Sequence, residues 1–270
     1  EKKEFAKKAS EIFDVTENEL ISYFELNKKK YDLTNEIFLK KSLHKISSYL
    51  SLDAVKAILN IGKLGIFKNL SDLNDDTFND KRLVQFYNRF STYNGSSPYK
   101  TPAIMSMIPH LEQHYGVYFP IGGMRMISKK LFELATEIGV NFNFNSEVQE
   151  IIVKNKKAIG LNINNKKKFS DIIISNSDIE HTYKKLMPKQ IIPNNVLKNE
   201  KSSSAIIFLW GVKKKFEELD LHNIFFSSDY KKEFDDIFQN KIISEDPTIY
   251  INISSKENIE DAPEKCENWF

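Results

Sequence analysis

The 270-residue chain holds one cysteine, Cys266, so it forms no internal disulfide and no cysteine-built metal cluster. A lone thiol fits a reducing, cytoplasmic setting. Neither sign of charge is in excess: 39 Lys and Arg stand against 37 Asp and Glu, a net charge of +2. That balance removes any global electrostatic case for a nucleic-acid partner. No apolar run approaches the roughly 20 residues that a membrane span needs, and no secretory leader is expected. Histidine is scarce. His110 and His114 stand four apart, a metal-binding spacing on a helix, but no third ligand lies near them in sequence and no metal is expected. Repeats and low-complexity segments are absent. The chain opens on EKKEFAKKASEIF, with Phe5, Ile12 and Phe13 at helical spacing, and stops at CENWF, an aromatic pair of the kind that leads into a strand. Both ends read as cuts through a longer protein.

What is present is ample apolar material: 41% hydrophobic residues, with 20 Phe and 11 Tyr, enough for a large core. The first hundred residues carry helical periodicity. Leu39, Leu43, Ile46 and Leu50 mark one face; Val55, Ile58, Leu59 and Ile61 mark another, entered through Ser51 as N-cap. NLSDLNDD (69–76) reads as a loop, followed by a helix with Leu83, Val84, Phe86, Tyr87 and Phe90. Residues 91–102 form a turn-rich loop. Thr101 caps a helix that starts at Pro102 and is kinked by Pro109.

The texture changes at Gly116, in GVYFPIGGMRMISKKLFELA. Only nine glycines occur in the chain, yet Gly122 and Gly123 are adjacent, between a short strand (117–120) and a helix bearing Ile127, Leu131, Leu134 and Ile138. Such a pair serves a tight strand-to-helix turn or lets the backbone lie against a flat or phosphate-bearing ligand. Gly139 sits at a left-handed C-cap position. VNFNFN alternates, with Val140, Phe142 and Phe144 on one side. EVQEIIV and KAIGLNI form a hairpin turning at Asn155, and Ile172 to Ile174 are a buried strand before the helix of SDIEHTYKKLM. After a linker at 188–193, AIIFLW reads as a central strand, HNIFFSS and PTIYINISS as further strands, and SDYKKEFDDIFQ as a capped helix.

HYGVYFPIGGMRMISKKLFELATEIGVNFNFNSEVQEIIV, followed by FSDIIISNSDIEHTYKKLMP, resembles the bacterial phytoene desaturases, FAD-dependent carotenoid desaturases of the amine-oxidase-like flavoprotein group. NGSSPYKTPAIMSMIPHLE and DAPEKCENWF extend the resemblance over nearly the whole chain from about residue 50. It implies an α/β plus α+β fold: a partial FAD-binding, Rossmann-like domain joined to a substrate domain of helices and a mixed or antiparallel sheet. The implied boundaries are 1–116 for the helical part of the substrate domain, 117–187 for the partial FAD domain and 188–270 for the sheet part. FAD is the implied cofactor. The main chain at Val148 would meet the adenine, Ser175, Asn176 and Ser177 the ribose or pyrophosphate, and Gly122, Gly123 and Met124 the flavin. From residue chemistry alone, the Ser-Asn-Ser run serves equally as an N-cap cluster. Val148 and Ser175 are expected on one sheet. The family's G-x-G-x-x-G turn occurs nowhere in the 270 residues, so the fragment itself should bind FAD poorly and be inactive.

The resemblance implies dehydrogenation of a long polyene such as phytoene. Asp53 falls in the region of a proposed family acid and is also an ordinary first-turn helix acid; Arg89 is a second catalytic candidate or an ion-pairing residue. Phe86, Phe90, Tyr93, Tyr118, Phe119, Phe208 and Trp210 suit either an apolar substrate tunnel or a core. A bilayer-dwelling substrate implies peripheral membrane contact through a lysine-bearing amphipathic helix in the first 70 residues. The competing readings are a carotenoid isomerase or other amine-oxidase-like FAD oxidoreductase, and a non-enzymatic interaction module.

Overall fold

Thr16 and Glu19 begin the architecture. The Thr16 hydroxyl accepts from the Glu19 amide (3.2 Å) and the Glu19 carboxylate accepts from the Thr16 amide (2.7 Å), a reciprocal capping box. It separates α1 (Lys2–Ile12) from α2 (Glu17–Phe38). The computed structural model describes residues 2–38, 40–42, 44–46, 52–199 and 201–270. They form two units: the chain up to Gly123 together with Ser202–Phe270, and Met124–Lys201.

The first unit continues with α3 (Leu52–Leu59), a short turn at Ile61–Leu64, α4 (Leu70–Thr77), α5 (Lys81–Asn88), 3-10 turns at Arg89–Asn94 and Ala103–Ser106, and α6 (Met107–Tyr115). The NLSDLNDD stretch is therefore α4 rather than a loop: its polar residues are those that open a helix, and Asn69 caps it by accepting from the Asp72 amide at 2.8 Å. Pro109 falls in the first turn of α6, where no intrahelical amide donor is needed. Leu20, Tyr23 and Phe24 of α2 close on Ala6, Phe78, Leu83, Val84, Tyr87 and Phe90 in one aromatic core. Each large side chain so buried contributes about 1.5–3 kcal/mol. Inside it the Tyr23 hydroxyl donates to Asn74 (2.9 Å), and the Asn74 amide donates to Asn88 (2.8 Å). The apolar face expected on α3 is exposed, while Ala54 and Ala57 are buried beside Ile37 and Leu64. Ser51, Leu39, Leu43, Leu50 and the Asp53 side chain lie outside the described residues.

The second unit begins with α7 (Arg125–Glu137), closed by Gly139 at φ +91° and a bond from the Val140 amide to the Ala135 carbonyl (2.9 Å). Its sheet is an antiparallel meander of β1 (Val148–Lys154), β2 (Lys157–Ile163) and β3 (Lys166–Phe169). Asn155 and Lys156, then Asn164 and Asn165, take positive φ and form two-residue hairpin turns. Gly160 of β2 is required where it stands, because a Cβ there would lie 2.5 Å from the Lys168 carbonyl oxygen. Val140 to Asn145 form no ladder, although Phe142 and Phe144 do share a side, with rings 4.5 and 5.8 Å from Phe132. The expected strand at 172–174 is ladderless too. Ile172 and Ile174 are 77% and 88% exposed, because no described strand pairs with them. Val148 and Ser175 therefore do not share a sheet. The helical turns Ile179–His181 and Thr182–Leu186 follow, and the second packs on β1.

Back in the first unit, β4 (Trp210–Val212) pairs with β7 (Glu267–Trp269), and β5 (His222–Phe225) with β6 (Ile249–Asn252), both antiparallel. Between β5 and β6, α8 (Tyr230–Asp235) is capped by Asp229. AIIFLW is not a central strand: only Trp210 enters a ladder, and Ile206 to Leu209 are exposed. Residues 117–120 likewise form no ladder.

Candidate functional site

Each unit contributes its own group of candidate residues. In the first, α5 and the turn after it bring together Phe86, Arg89, Phe90 and Tyr93. The Arg89 guanidinium lies over the Phe86 and Phe90 rings at 4.8 and 4.2 Å, a double cation–π contact. Its Nη1 donates to the Tyr93 hydroxyl at 3.4 Å, and that hydroxyl donates to the Glu112 carboxylate of α6. Arg89 Nε is buried without an acceptor. Burial, then the Glu112 carboxylate, holds the Tyr93 phenol above its ordinary range, so it stays a donor. A guanidinium, a phenol and a carboxylate in line can orient a polar group or pass a proton. Glu112 escapes a reading of sequence alone because nothing in LEQHY distinguishes it from a solvated helix acid.

The remaining aromatic candidates are dispersed. Phe90 belongs to the helical core. Tyr118 is exposed and Phe119 half-buried. Phe208 and Trp210 are exposed neighbours with rings 5.8 Å apart. Asp53 is the second residue of α3, with its side chain outside the described residues. Among the described residues no three ligating side chains gather around a point that could hold a metal. His110 is buried against the Tyr31 ring (5.2 Å) and stacked on His114 (5.1 Å), and burial lowers its imidazole to about 4.

A second buried polar group went unseen. Lys30 on α2 is 2% exposed and donates to the Ala103 carbonyl (3.0 Å) and the Ser106 hydroxyl (2.8 Å). The signal was available in LNKKKYDL: helical period carries Tyr23, Asn27, Lys30 and Thr34 along one stripe, so one of three consecutive lysines had to face inward. Burial, then Lys68, holds its amine down at about 8.

Gly122 and Gly123 have φ of +84° and +85°, and the Gly123 amide donates to the Pro120 carbonyl at 2.9 Å. The pair is thus demanded by a tight turn. A Cβ at Gly123 would meet nothing within 4 Å, which leaves its backbone open to approach. In the second unit, Met124 is exposed and Val148 opens β1, half-buried. Ser175 and Ser177, with Asn176 between them, are exposed. Their hydroxyls lie 3.0 Å apart and reach the Thr182 hydroxyl at 3.0 and 2.7 Å. The expected cap of the following helix is instead Asp178, accepting from the His181 amide at 2.9 Å, which leaves the three hydroxyls free of capping duty. Thr182 was overlooked because it reads as an ordinary helix residue.

The profile of the family described as flavin containing amine oxidoreductase matches residues 2–235. The chain belongs to this family. It is 51% identical over 266 residues to a 1-hydroxycarotenoid 3,4-desaturase of Flavobacterium sp. (strain P99-3), covering 98% of this chain and 54% of the relative. It is 29% identical over 247 residues to a phytoene desaturase of Fusarium fujikuroi (90% and 43%). A 4,4'-diapophytoene desaturase (4,4'-diaponeurosporene-forming) of Staphylococcus haemolyticus is 30% identical over 244 residues (87% and 48%). The chain spans about half the length of these curated relatives. Among solved structures, an oxidoreductase from Methanosarcina mazei shares the fold with a TM-score of 0.50 and 16% identity, over 87% of this chain and 53% of that one. Family membership makes FAD the implied cofactor. The hydroxyl trio of the second unit, with Ser175 and Ser177 exposed and Thr182 buried, and separately the half-buried glycine backbone of the first unit, are polar groups that suit such a cofactor, but the pyrophosphate-holding glycine-rich turn is not in the sequence. The residues present therefore fit part of a dinucleotide.

Proposed function

We propose that this chain is the greater part of the substrate domain and one portion of the flavin domain of a carotenoid desaturase. The observation that carries the reading is the 51% identity to a 1-hydroxycarotenoid 3,4-desaturase along 98% of the chain. A carotenoid with a hydroxylated end is the substrate to test first, and phytoene the second. The reaction forms a C=C bond as a hydride leaves one carbon to FAD and a proton leaves its neighbour to a base or to solvent. The chain's own part is to orient the polyene and exclude water.

In this reading residues 117–187 supply the partial, Rossmann-like FAD portion. The Val148 main chain serves the adenine; Ser175, Asn176 and Ser177, with Thr182, serve ribose and phosphate; Gly122, Gly123 and Met124 serve the flavin. Phe86, Phe90, Tyr93, Tyr118, Phe119, Phe208 and Trp210 serve the substrate, with Asp53 and Arg89 as the catalytic candidates. The ladderless apolar segments at 172–174 and 206–209 are what a sheet completed from elsewhere would leave. Alone, the chain should bind FAD weakly. A lipid-borne substrate also calls for peripheral membrane contact.

The test is pigment conversion. The full-length protein, expressed in cells accumulating either a 1-hydroxycarotenoid or phytoene, should lengthen the chromophore of one of them and purify yellow with flavin. A purified, folded protein that carries flavin yet leaves both carotenoids unchanged, or only isomerises them, would overturn the desaturase reading.

A further inference from the structure

The polar cluster beside α5 has the makings of a site for a neutral guest. Arg89 and Glu112 bring one charge of each sign, and each lies one hydrogen bond from the same Tyr93 hydroxyl. That hydroxyl does not satisfy either of them. Tyr93 takes a single carboxylate oxygen of Glu112, Oε1, whereas a carboxylate accepts at both of its oxygens. The bond from Arg89 Nη1 to Tyr93 is long at 3.4 Å, and Arg89 Nε is buried with no acceptor. The charged groups are also held still. The Phe86 and Phe90 rings lie under the guanidinium, and the Tyr93 ring packs on Phe90 with centroids 5.4 Å apart. Arg89 and Glu112 are half-buried and Tyr93 is exposed, so the cluster can be reached. A second hydroxyl set beside the Tyr93 oxygen reaches a donor and an acceptor at once. An anionic guest would meet Glu112 and a cationic one Arg89, each opposed by like charge. A hydroxyl accepts from one and donates to the other.

We propose that Arg89 and Glu112 bind the hydroxyl of a carotenoid end group, with Tyr93 positioning the carboxylate, and so set a preference for hydroxylated over plain hydrocarbon carotenoids. It rests on the proposed desaturase function and names the residues that select its substrate. The guest O–H donates to Glu112, and the guest oxygen accepts from Arg89. A hydrocarbon end displaces water from both charged groups and returns no hydrogen bond, so the same pair that welcomes the alcohol penalises the alkene.

The experiment is titration of the full-length protein with a detergent-dispersed 1-hydroxycarotenoid and with the same polyene lacking the hydroxyl, read by quenching of tryptophan fluorescence. The parent should bind the hydroxylated compound about tenfold or more tightly. Glu112→Ala should bring the two dissociation constants to within about twofold of each other. Glu112→Gln, which keeps an acceptor oxygen, and Tyr93→Phe, which releases the carboxylate, should each give an intermediate ratio. A variant that only loosens the fold weakens both carotenoids alike and leaves the ratio where it was. If Glu112→Ala does not fold, Glu112→Gln supplies the comparison. A parent that binds the two alike or binds neither, or a ratio unmoved by the Glu112 variants, overturns the proposal. Conversion of both carotenoids is followed in parallel: a parent that shows the binding preference yet converts neither strikes only at the proposed function.

Discussion

Replacing Lys30 with methionine should make the protein more stable, and by an amount that depends on pH. The amine is 2% exposed, and burial holds it at about 8 against an ordinary 10.5. At about 1.4 kcal/mol per pH unit, keeping it charged inside the folded chain costs about 3 kcal/mol near neutrality. Between pH 8 and 10.5 the unfolded chain still holds this proton and the native chain has released it, so stability rises with pH across that window. The substitution should leave no orphaned acceptor, because the Ser106 hydroxyl itself donates to the Ala103 carbonyl at 2.8 Å. Lys30→Met should therefore gain about 1–3 kcal/mol at pH 7, with methionine filling the lysine's volume. The gain should shrink as the parent protein is taken above pH 8. Urea unfolding of both proteins at about pH 7, 8 and 9.5 measures this. Above pH 10 ionisation of Tyr23 and Tyr87, whose phenols burial raises, reverses the trend. A variant less stable than its parent at pH 7, or an equal pH slope in both, would refute the account.

Three further outcomes follow from the packing. Asn74→Ala strands the buried Tyr23 hydroxyl and the Asn88 side-chain oxygen Oδ1 that it now serves, and should cost about 3 kcal/mol in urea unfolding. Asp80 caps α5, and the Arg82 side chain, then the Asp14 and Arg82 amides, hold its carboxyl well below the usual range. Its stabilisation is present above the ordinary carboxylate range and lost as pH falls through the native value. Asp80→Ala should cost about 1–2 kcal/mol at pH 7 and progressively less in acid, by thermal unfolding. Gly160→Ala forces a Cβ onto the Lys168 carbonyl and should cost about 1–3 kcal/mol, with amide-exchange protection lost first in β3.

Where local chemistry suffices, the sequence is a good guide. The Asn155 hairpin, the Gly139 cap and the Asp229-capped helix form as expected, because each is fixed by residues within one turn of it, and the β5 and β6 strands form because each has the other as its neighbour. The misreadings share another cause. Ile172 to Ile174 and Ile206 to Leu209 carry the apolar pattern of interior strands, but a strand also needs a neighbour, and none of the described residues supplies one. The α3 face failed for a related reason: periodicity reports that a stripe is apolar, not what covers it. Site residues were legible only where a motif marks them. The Arg89 and Ser175 neighbourhoods were reached through family likeness, while Glu112, Thr182 and Lys30 act through partners far along the chain or on an ordinary helix face.

One edge of the meander, β3, carries Lys166, Lys167 and Lys168, all exposed. Lysines along an open edge repel any strand that tries to join it. The isoleucines at 172–174 and the IIFL run at 206–209 have no such gatekeepers. Stickiness in this chain is thus directional: one border refuses strangers while two others invite a companion. In a cell, those two segments are where a chaperone would take hold, and on the bench they are where precipitation would nucleate.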